Sequence, residues 1–182
     1  CIVLLGFFSG YFVRLCFSEG KRLSDIQVFH VFFAFLFGAS FGSFANVVIY
    51  RLPNESSLLG RSRCQKCQTP VAWYHNIPML SYFILKGKCA KCAEPFSIRY
   101  PLVEFIMAVA FAVTVYFYGV NWTSTEYLIL VWGLITASFI DLDHMILPDE
   151  ITLGGMVLGL IGAWLNPERS FMDAFLGVLF GG

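Results

Sequence analysis

Four cysteines in this chain are spaced as two pairs that could bind one metal ion. Cys64 and Cys67 form the first C-x-x-C pair, and Cys89 and Cys92 form the second, with 21 residues (68–88) between the pairs. Each pair can supply half of a tetrahedral zinc site, and a loop of this length allows the pairs to meet. Neighbouring lysines favour the thiolate forms and offset their charge. These lysines are Lys66, Lys88 and Lys91.

Two disulfides are the alternative to zinc. The segment from Arg51 to Arg99 carries eight of the twelve basic residues, so the positive-inside rule places it in the cytoplasm. The cytoplasm is reducing and favours zinc, and four thiolate ligands indicate a structural site because no position stays open for water. His75, between the pairs, is interpreted as a surface or packing residue. Cys1 and Cys16 are interpreted as small apolar residues without assigned chemistry.

A cluster of carboxylates at residues 141–150 is the second group that could do chemistry. Asp141 directly follows an apolar run, at the end of a predicted helix, where the macrodipole disfavours an acid. A carboxylate held there and partly buried suits acid–base catalysis. Asp143 and His144 are expected to face other directions. Acids beside a membrane helix indicate function because they are costly, although the four acids of this cluster could simply mark a loop.

Asp149 and Glu150 of this cluster, as well as Glu104, could have structural roles instead of functional ones. Asp149 precedes a new apolar segment and is predicted to be its N-cap, while Glu150 suits the first turn of that helix. Glu104 lies just inside another apolar segment. At this depth it could reach water, pair with Arg99 or serve a function, and the sequence leaves these alternatives open.

The composition indicates a membrane protein. Of the 182 residues, 58% are hydrophobic and only 13% are charged, against roughly 25% charged in typical soluble domains. This excludes a disordered chain and disfavours an ordinary soluble domain. The net charge of zero provides no field that would attract nucleic acid. We therefore predict an all-α fold, a polytopic membrane helical bundle with a small cytoplasmic zinc-binding cysteine loop domain.

The apolar stretches define the predicted organisation. Residues 1–27 form an unassigned N-terminal segment, 28–50 the first spanning helix, 51–101 the cytoplasmic basic loop, and 102–182 the later spanning helices. The later apolar segments are Leu102–Val120, Tyr127–Ile140, Ile151–Leu165 and Phe171–Gly182. Small residues in the first span predict close helix packing. They are Gly38, Ser40, Gly42 and Ser43.

Alternation of the spans sets the expected orientation. With the basic loop in the cytoplasm, the Leu102–Val120 segment runs outward and Tyr127–Ile140 returns. Asn121–Glu126 is then an external turn. Asp141 is consequently expected at the cytoplasmic edge of the membrane.

Four motifs, in the right order, resemble those of the bacterial type IV prepilin peptidases, which are leader peptidases and N-methyltransferases of aspartic protease family A24. The first motif is GSFANVVIYRLP at Gly42–Pro53, and the second is the pair of C-x-x-C motifs. The third comprises Asn76–Tyr82 and Ser97–Glu104, and the fourth is DLDHMILPD at Asp141–Asp149. The resemblance extends from about residue 30 to the end of the chain.

The resemblance implies a multi-pass aspartic endopeptidase of the bacterial inner membrane. Such enzymes remove the leader peptide of type IV prepilins or pseudopilins at the cytoplasmic face, for pilus assembly or type II secretion. They then methylate the new N-terminus with S-adenosylmethionine. Asp141 matches the first catalytic aspartate, and Asp143 and Asp149 in the same motif are further candidates.

The implied cofactors and partners follow from the same resemblance. A structural Zn²⁺ would be bound by Cys64, Cys67, Cys89 and Cys92. S-adenosylmethionine would serve methylation, at residues that the sequence does not identify. The partners would be a prepilin or pseudopilin substrate and membrane lipid, with no nucleic acid.

One departure from the family pattern concerns the second catalytic aspartate, which belongs to a G-x-G-D motif. No such motif occurs before Gly182, and Asp173 lies in a different context. An aspartic protease shares one proton between two carboxylates, so we expect the chain to be a truncated member that is inactive by itself. The alternatives are a non-catalytic zinc-bearing membrane scaffold for pilus or secretion machinery, and a methyltransferase without protease activity.

Overall fold

Helices dominate the part of the chain that the computed structural model describes, which comprises residues 25–54, 56–57, 60, 64, 66–71, 77–146, 148–166 and 170–181. The helices are α1 (Asp25–Arg51), α2 (Leu80–Ile84), α3 (Arg99–Tyr118), α4 (Trp122–His144), α5 (Asp149–Leu165) and α6 (Phe171–Gly181). Most of the unassigned N-terminal segment, as well as Cys1, Cys16 and His75, lies outside the described residues.

Three of the described helices, α1, α3 and α4, are long and apolar enough to cross a membrane, with lengths of 27, 20 and 23 residues. The predicted all-α membrane bundle is therefore confirmed. Helix α5 coincides with the predicted apolar segment Ile151–Leu165, but its 17 residues span only about 26 Å at 1.5 Å per residue. Helix α6 has 11 residues.

The turn between α3 and α4 is shorter than expected. Gly119, with φ of 72°, ends α3, and its N–H donates to the carbonyl of Val115. Asn121 then caps α4: its side chain accepts the Ser124 N–H at 2.7 Å, while the Ser124 hydroxyl accepts the Asn121 N–H at 3.0 Å. This reciprocal capping starts the helix at Trp122. The predicted turn over Asn121–Glu126 is therefore too long, because Trp122–Glu126 belong to α4.

Helices α1 and α3 approach each other closely because two glycines of α1 face α3. A Cβ atom at Gly42 would lie 2.6 Å from the Cα of Glu104, and one at Gly38 would lie 2.8 Å from the Cα of Ala108. The predicted small-residue face is confirmed for both glycines. Ser40 does not share that face, because it is exposed and its hydroxyl donates to the Leu36 carbonyl.

Helix α4 closes the core against this pair. The indole N–H of Trp132 donates to the carbonyl of Phe41 at 3.2 Å, and the Trp132 ring stacks on Phe44 with centroids 5.8 Å apart. The buried core thus draws on α1, α3 and α4. Its central members are Ala45, Ile49, Val103, Met107, Phe111 and Ile140.

The tight α1–α3 contact predicts a strong response to one added methyl group. Gly42→Ala would place its Cβ against the backbone of Glu104, and we expect a loss of about 1–3 kcal/mol in the free energy of unfolding from overpacking. The measurement is thermal and denaturant unfolding of the protein in detergent micelles.

Gly133→Ala in α4 is the matched control, since nothing lies within 4 Å of a Cβ at that position. Its stability should be unchanged or slightly raised, because alanine has the higher helix propensity. Equal stability of the Gly42→Ala and Gly133→Ala variants would contradict the close approach of the two helices.

Candidate functional site

The four cysteines between α1 and α3 come together as one cluster. Their sulfur atoms all lie within 4.8 Å of one another. The sulfurs of Cys64 and Cys92 are 3.7 Å apart, and those of Cys67 and Cys89 are 4.0 Å apart. These distances are about twice the length of a disulfide bond, and all four are free thiols. The arrangement can hold one metal ion with tetrahedral geometry.

Each C-x-x-C pair lies in a tight turn that aims both thiols at the cluster. In the first turn, Gln68 has a φ of 54° and its N–H donates to the carbonyl of Cys64 at 2.9 Å. The Cys64 N–H in turn donates to the carbonyl of Thr69 at 3.0 Å. These bonds fix the spacing of Cys64 and Cys67 through the backbone alone.

The second turn repeats the first. Ala93 has a φ of 58° and its N–H donates to the carbonyl of Cys89 at 3.0 Å, while the Cys89 N–H donates to that of Glu94 at 2.8 Å. The sequence analysis missed this repeat. Its signal is the shared pattern C-x-K-C-x-x-P at Cys64–Pro70 and Cys89–Pro95.

The electrostatics of the cluster favour a bound cation. Hydrogen bonds from the Thr69 side chain and backbone lower the pKa of Cys67 to about 6. Backbone N–H groups of Cys92 and Lys91 lower the pKa of Cys89. The Glu94 N–H also favours the thiolate of Cys92, but burial and the three adjacent thiols outweigh it and raise the pKa of Cys92 to about 12. Four thiolates this close need a positive charge among them.

An ion pair joins the two cysteine turns on their outer side. Lys66 in the first turn lies 2.5 Å from a carboxylate oxygen of Glu94 in the second. Both side chains are largely exposed, so the pair contributes little free energy.

Asp141 lies in the last turn of α4, and the helix ends at His144, about one turn beyond the predicted end at Ile140. The Asp141 carbonyl accepts the N–H of Met145 at 2.8 Å, and Met145 ends the helix in the left-handed conformation. The Asp141 side chain is exposed, so the expectation that it is partly buried is wrong. The carboxylate is exposed on the protein surface at the end of a membrane-spanning helix.

Asp143 faces a different direction from Asp141, as expected, and forms an ion pair with Arg99 at the start of α3. The Arg99 guanidinium also lies over the ring of Phe139, 5.7 Å from its centroid. The suggested pairing of Arg99 with Glu104 is therefore wrong. The extra turn of α4 carries Asp143 to the beginning of α3, where Arg99 binds it instead.

Glu104 is buried at the α1–α3 interface, with 9% of its surface exposed. Its carboxylate accepts the backbone N–H of Met79 at 2.6 Å, and Met79 has a positive φ of 58°. This bond connects α3 to the residue that precedes α2. Sequence reasoning recognised Glu104 as unusual but could not find this partner, because the contact depends on the fold of residues 77–80.

Asp149 is the first residue of α5, and Pro148 occupies the N-cap position. The prediction that Asp149 is the N-cap is wrong, because the proline fixes an extended backbone one residue earlier. Asp149 and Glu150 are both exposed in the first turn. Their negative charges interact favourably with the positive end of the helix dipole.

A cavity of about 1150 Å³ separates the cysteine turns from the adjoining ends of α1, α3 and α4. Cys64 and Cys89 line one side of the cavity, and Glu104, Arg99 and Asp143 line the other. The cavity thus brings together the cysteine cluster, the buried carboxylate and the ion pair. Asp141 and Asp149 do not belong to its lining.

Two sequence families match consecutive parts of the chain. Residues 36–118 match the bacterial peptidase A24 N-terminal domain, and residues 128–182 match the type IV leader peptidase family. The first range contains all four cysteines and Glu104, and the second contains the carboxylates at 141–150. No solved structure gives a significant match to the chain.

The chain is also similar to curated proteins named prepilin leader peptidase/N-methyltransferase. It is 41% identical over 150 residues to the one from Myxococcus xanthus, an alignment that covers 82% of this chain and 45% of that protein. For the Neisseria gonorrhoeae protein the identity is 38% over 187 residues, covering 87% and 64%. For that of Aeromonas hydrophila it is 35% over 176 residues, covering 81% and 59%. The chain spans about half to two thirds of the length of these relatives.

Proposed function

We propose that this chain, which belongs to the type IV leader peptidase family (peptidase A24), carries part of the active site of a membrane aspartic endopeptidase. The substrate is the leader peptide of a type IV prepilin or pseudopilin, cut at the cytoplasmic face. The new N-terminus is then methylated with S-adenosylmethionine as the methyl donor. The observation that carries this proposal is the exposed Asp141 carboxylate at the end of a membrane-spanning helix.

Asp141 is the acid of its motif best placed to react with substrate. Asp143 is already held in an ion pair with Arg99. Asp149 lies in the first turn of α5, where its charge interacts favourably with the dipole of that helix. Asp141 has neither of these partners among the described residues, and it is exposed. It supplies one of the two carboxylates that an aspartic protease requires, and the second belongs to the G-x-G-D motif of the family.

The depth of Asp141 suits a scissile bond at the membrane surface. Asp141 precedes the last residue of α4 by three positions, which corresponds to about 4.5 Å along the helix axis. A prepilin leader ends where a very apolar helix begins, so its scissile bond lies at the boundary between water and lipid. An acid within one turn of the end of a spanning helix lies near this boundary and can therefore reach the scissile bond.

The cysteine cluster serves as a structural zinc site in this proposal. Four sulfur ligands match the preference of Zn²⁺ and leave no position for a reactive water. The excess of basic residues in segment 51–101 supports a cytoplasmic location for the cluster in a multi-pass inner-membrane protein. Zinc there would fix both turns and, through them, the wall of the cavity.

S-adenosylmethionine fits the space available beside these residues. Small-molecule sites commonly enclose about 300–1000 Å³, and the cavity of about 1150 Å³ is large enough for a nucleoside-sized methyl donor. When bound, the donor supplies an activated methyl group. The chain contributes the cavity wall that would exclude bulk water and orient the methyl acceptor.

Removal of one cysteine tests the metal. Cys64→Ser should release the ion and lower the thermal stability of the loop, because Cys64 is the buried member of the cluster and its sulfur has three sulfur neighbours within 4.8 Å. The measurement is metal content by inductively coupled plasma mass spectrometry, with one zinc per chain expected before the change.

Cys16→Ser is the matched control and should leave the zinc content unchanged. A protein that is purified without reducing agent and contains no zinc, but two disulfides among residues 64–92, would contradict the proposal.

Asp141→Asn in the full-length protein tests the peptidase. Asparagine keeps the shape of the side chain but cannot accept a proton from water, so leader cleavage should fall by at least about 10²-fold. The measurement is the rate of leader removal from a purified prepilin in lipid vesicles.

Asp173→Asn, in the first turn of α6, is the control and should cleave normally. Undiminished cleavage by the Asp141→Asn variant would refute the assignment of Asp141. Normal pilus assembly by a cleavage-deficient Asp141→Asn variant would instead favour the non-catalytic scaffold.

A further inference from the structure

Glu104 is a buried carboxylate with no cationic partner in the part of the chain that the structure describes. Its polar neighbours are the Met79 N–H at 2.6 Å and the Ser43 hydroxyl. The two ion pairs found among the described residues involve Glu94 and Asp143 instead. Burying a charge without a counter-charge is costly, so such a group in a membrane helix indicates a functional role.

The surroundings of Glu104 hold it rigidly at the wall of the cavity. Its Cα lies against Gly42 of α1, with no room for a methyl group between them. Val103 and Met107, its neighbours on α3, are fully buried in the core. The carboxylate nevertheless belongs to the cavity lining. A carboxylate fixed in this way is preorganised to bind a positive group that enters the cavity.

Glu104 and Asp141 both lie near helix ends at the same end of the bundle. Glu104 is five residues from the start of α3, or about 7.5 Å along the axis. Both carboxylates therefore lie within two turns of helix ends that adjoin the same cavity region, where Asp143 of α4 pairs with Arg99 of α3. A peptide cut beside Asp141 would have its new N-terminus at the same end of the bundle as Glu104.

We propose that Glu104 binds the N-terminal amino group released by leader cleavage and accepts its proton before methyl transfer. This inference rests on the proposed function and assigns a residue to its second step. An α-amino group has a pKa of about 7.7–8.0 in model peptides and is mostly protonated at neutral pH. In its ammonium form, the new N-terminus would supply the cationic partner that Glu104 does not have among the described residues.

The proposed step balances in atoms and charge. A proton leaves the ammonium nitrogen for the Glu104 carboxylate, which frees the nitrogen lone pair. The nitrogen then attacks the methyl carbon of S-adenosylmethionine, and the methyl carbon–sulfur bond breaks with its electron pair going to sulfur. The products are a protonated N-methylamine and the uncharged thioether S-adenosylhomocysteine. Glu104 finally returns its proton to water in the cavity.

A binding experiment with two peptides isolates the charge interaction. The probe is the N-terminal segment of a mature pilin in detergent micelles, either with a free amine or with an acetylated amine. Full-length wild-type protein should bind the free-amine peptide about tenfold more tightly, as expected for a charge-assisted hydrogen bond. Glu104→Gln should remove this preference while retaining an oxygen that can accept the Met79 N–H.

Glu126→Gln is the matched control. Glu126 lies in the first half of α4 and accepts a hydrogen bond from the Asn166 side chain at 3.2 Å, away from the cavity lining. This variant should keep the tenfold preference. The proposal is wrong if wild type shows no preference, or if Glu104→Gln retains it in full. It is also wrong if Glu104→Gln weakens binding of S-adenosylmethionine and leaves the peptide preference intact.

A second measurement on the wild-type protein covers the case in which Glu104→Gln does not fold. A carbodiimide couples a carboxylate directly to an amine that contacts it, so the free-amine peptide should become linked to Glu104 and be identified by mass spectrometry. Linkage only at other acids would overturn the proposal. Leader removal by the same preparation reports separately on the peptidase, so failure of the proposed function is distinguishable from failure of this assignment.

Discussion

The close approach of α1 and α3 is the constraint on which the other features of the site depend. It exists because Gly38 and Gly42 leave no side chain between the helices, so that backbone meets backbone at Glu104 and Ala108. In lipid, where burial of apolar surface between helices gains little, such packing is a principal source of helix association. The contact fixes the position of Glu104 and brings the end of α1 beside the start of α3. The cysteine segment begins and ends at these two points.

The elements at this end of the bundle are therefore coupled. The cysteine turns are closed by backbone hydrogen bonds and by the cluster of four sulfurs, and residues 77–80 connect them to Glu104 through the Met79 N–H. Helix α4 joins the assembly through the Asp143–Arg99 ion pair. Asp141, two residues before Asp143, is thereby held beside the cavity but outside its lining.

Local patterns in the sequence predicted the parts of the site that local structure determines. The two C-x-x-C pairs, the glycines of α1 and the acid at the end of α4 each depend on spacing within one segment. The four cysteines cluster, Gly38 and Gly42 face α3, and Asp141 lies in the last turn of α4. The ends of α4 could not be predicted, because they depend on the Asn121–Ser124 cap and on Met145. The partners of Arg99 and Glu104 depend on how distant segments pack, and no spacing rule identifies them. The partial burial expected for Asp141 failed for the same reason.

The account requires that Asp141 and the cysteine cluster lie on the same side of the membrane. Labelling with a membrane-impermeant thiol reagent measures this most directly. The variants are Asp141→Cys and Val120→Cys, each in sealed vesicles of both orientations. Labelling of the unmodified chain gives the background. Both positions adjoin the ends of α4, and Val120 is exposed. The account predicts labelling of Asp141→Cys only from the cytoplasmic side and of Val120→Cys only from the opposite side. Labelling of Asp141→Cys from the outer side would contradict it.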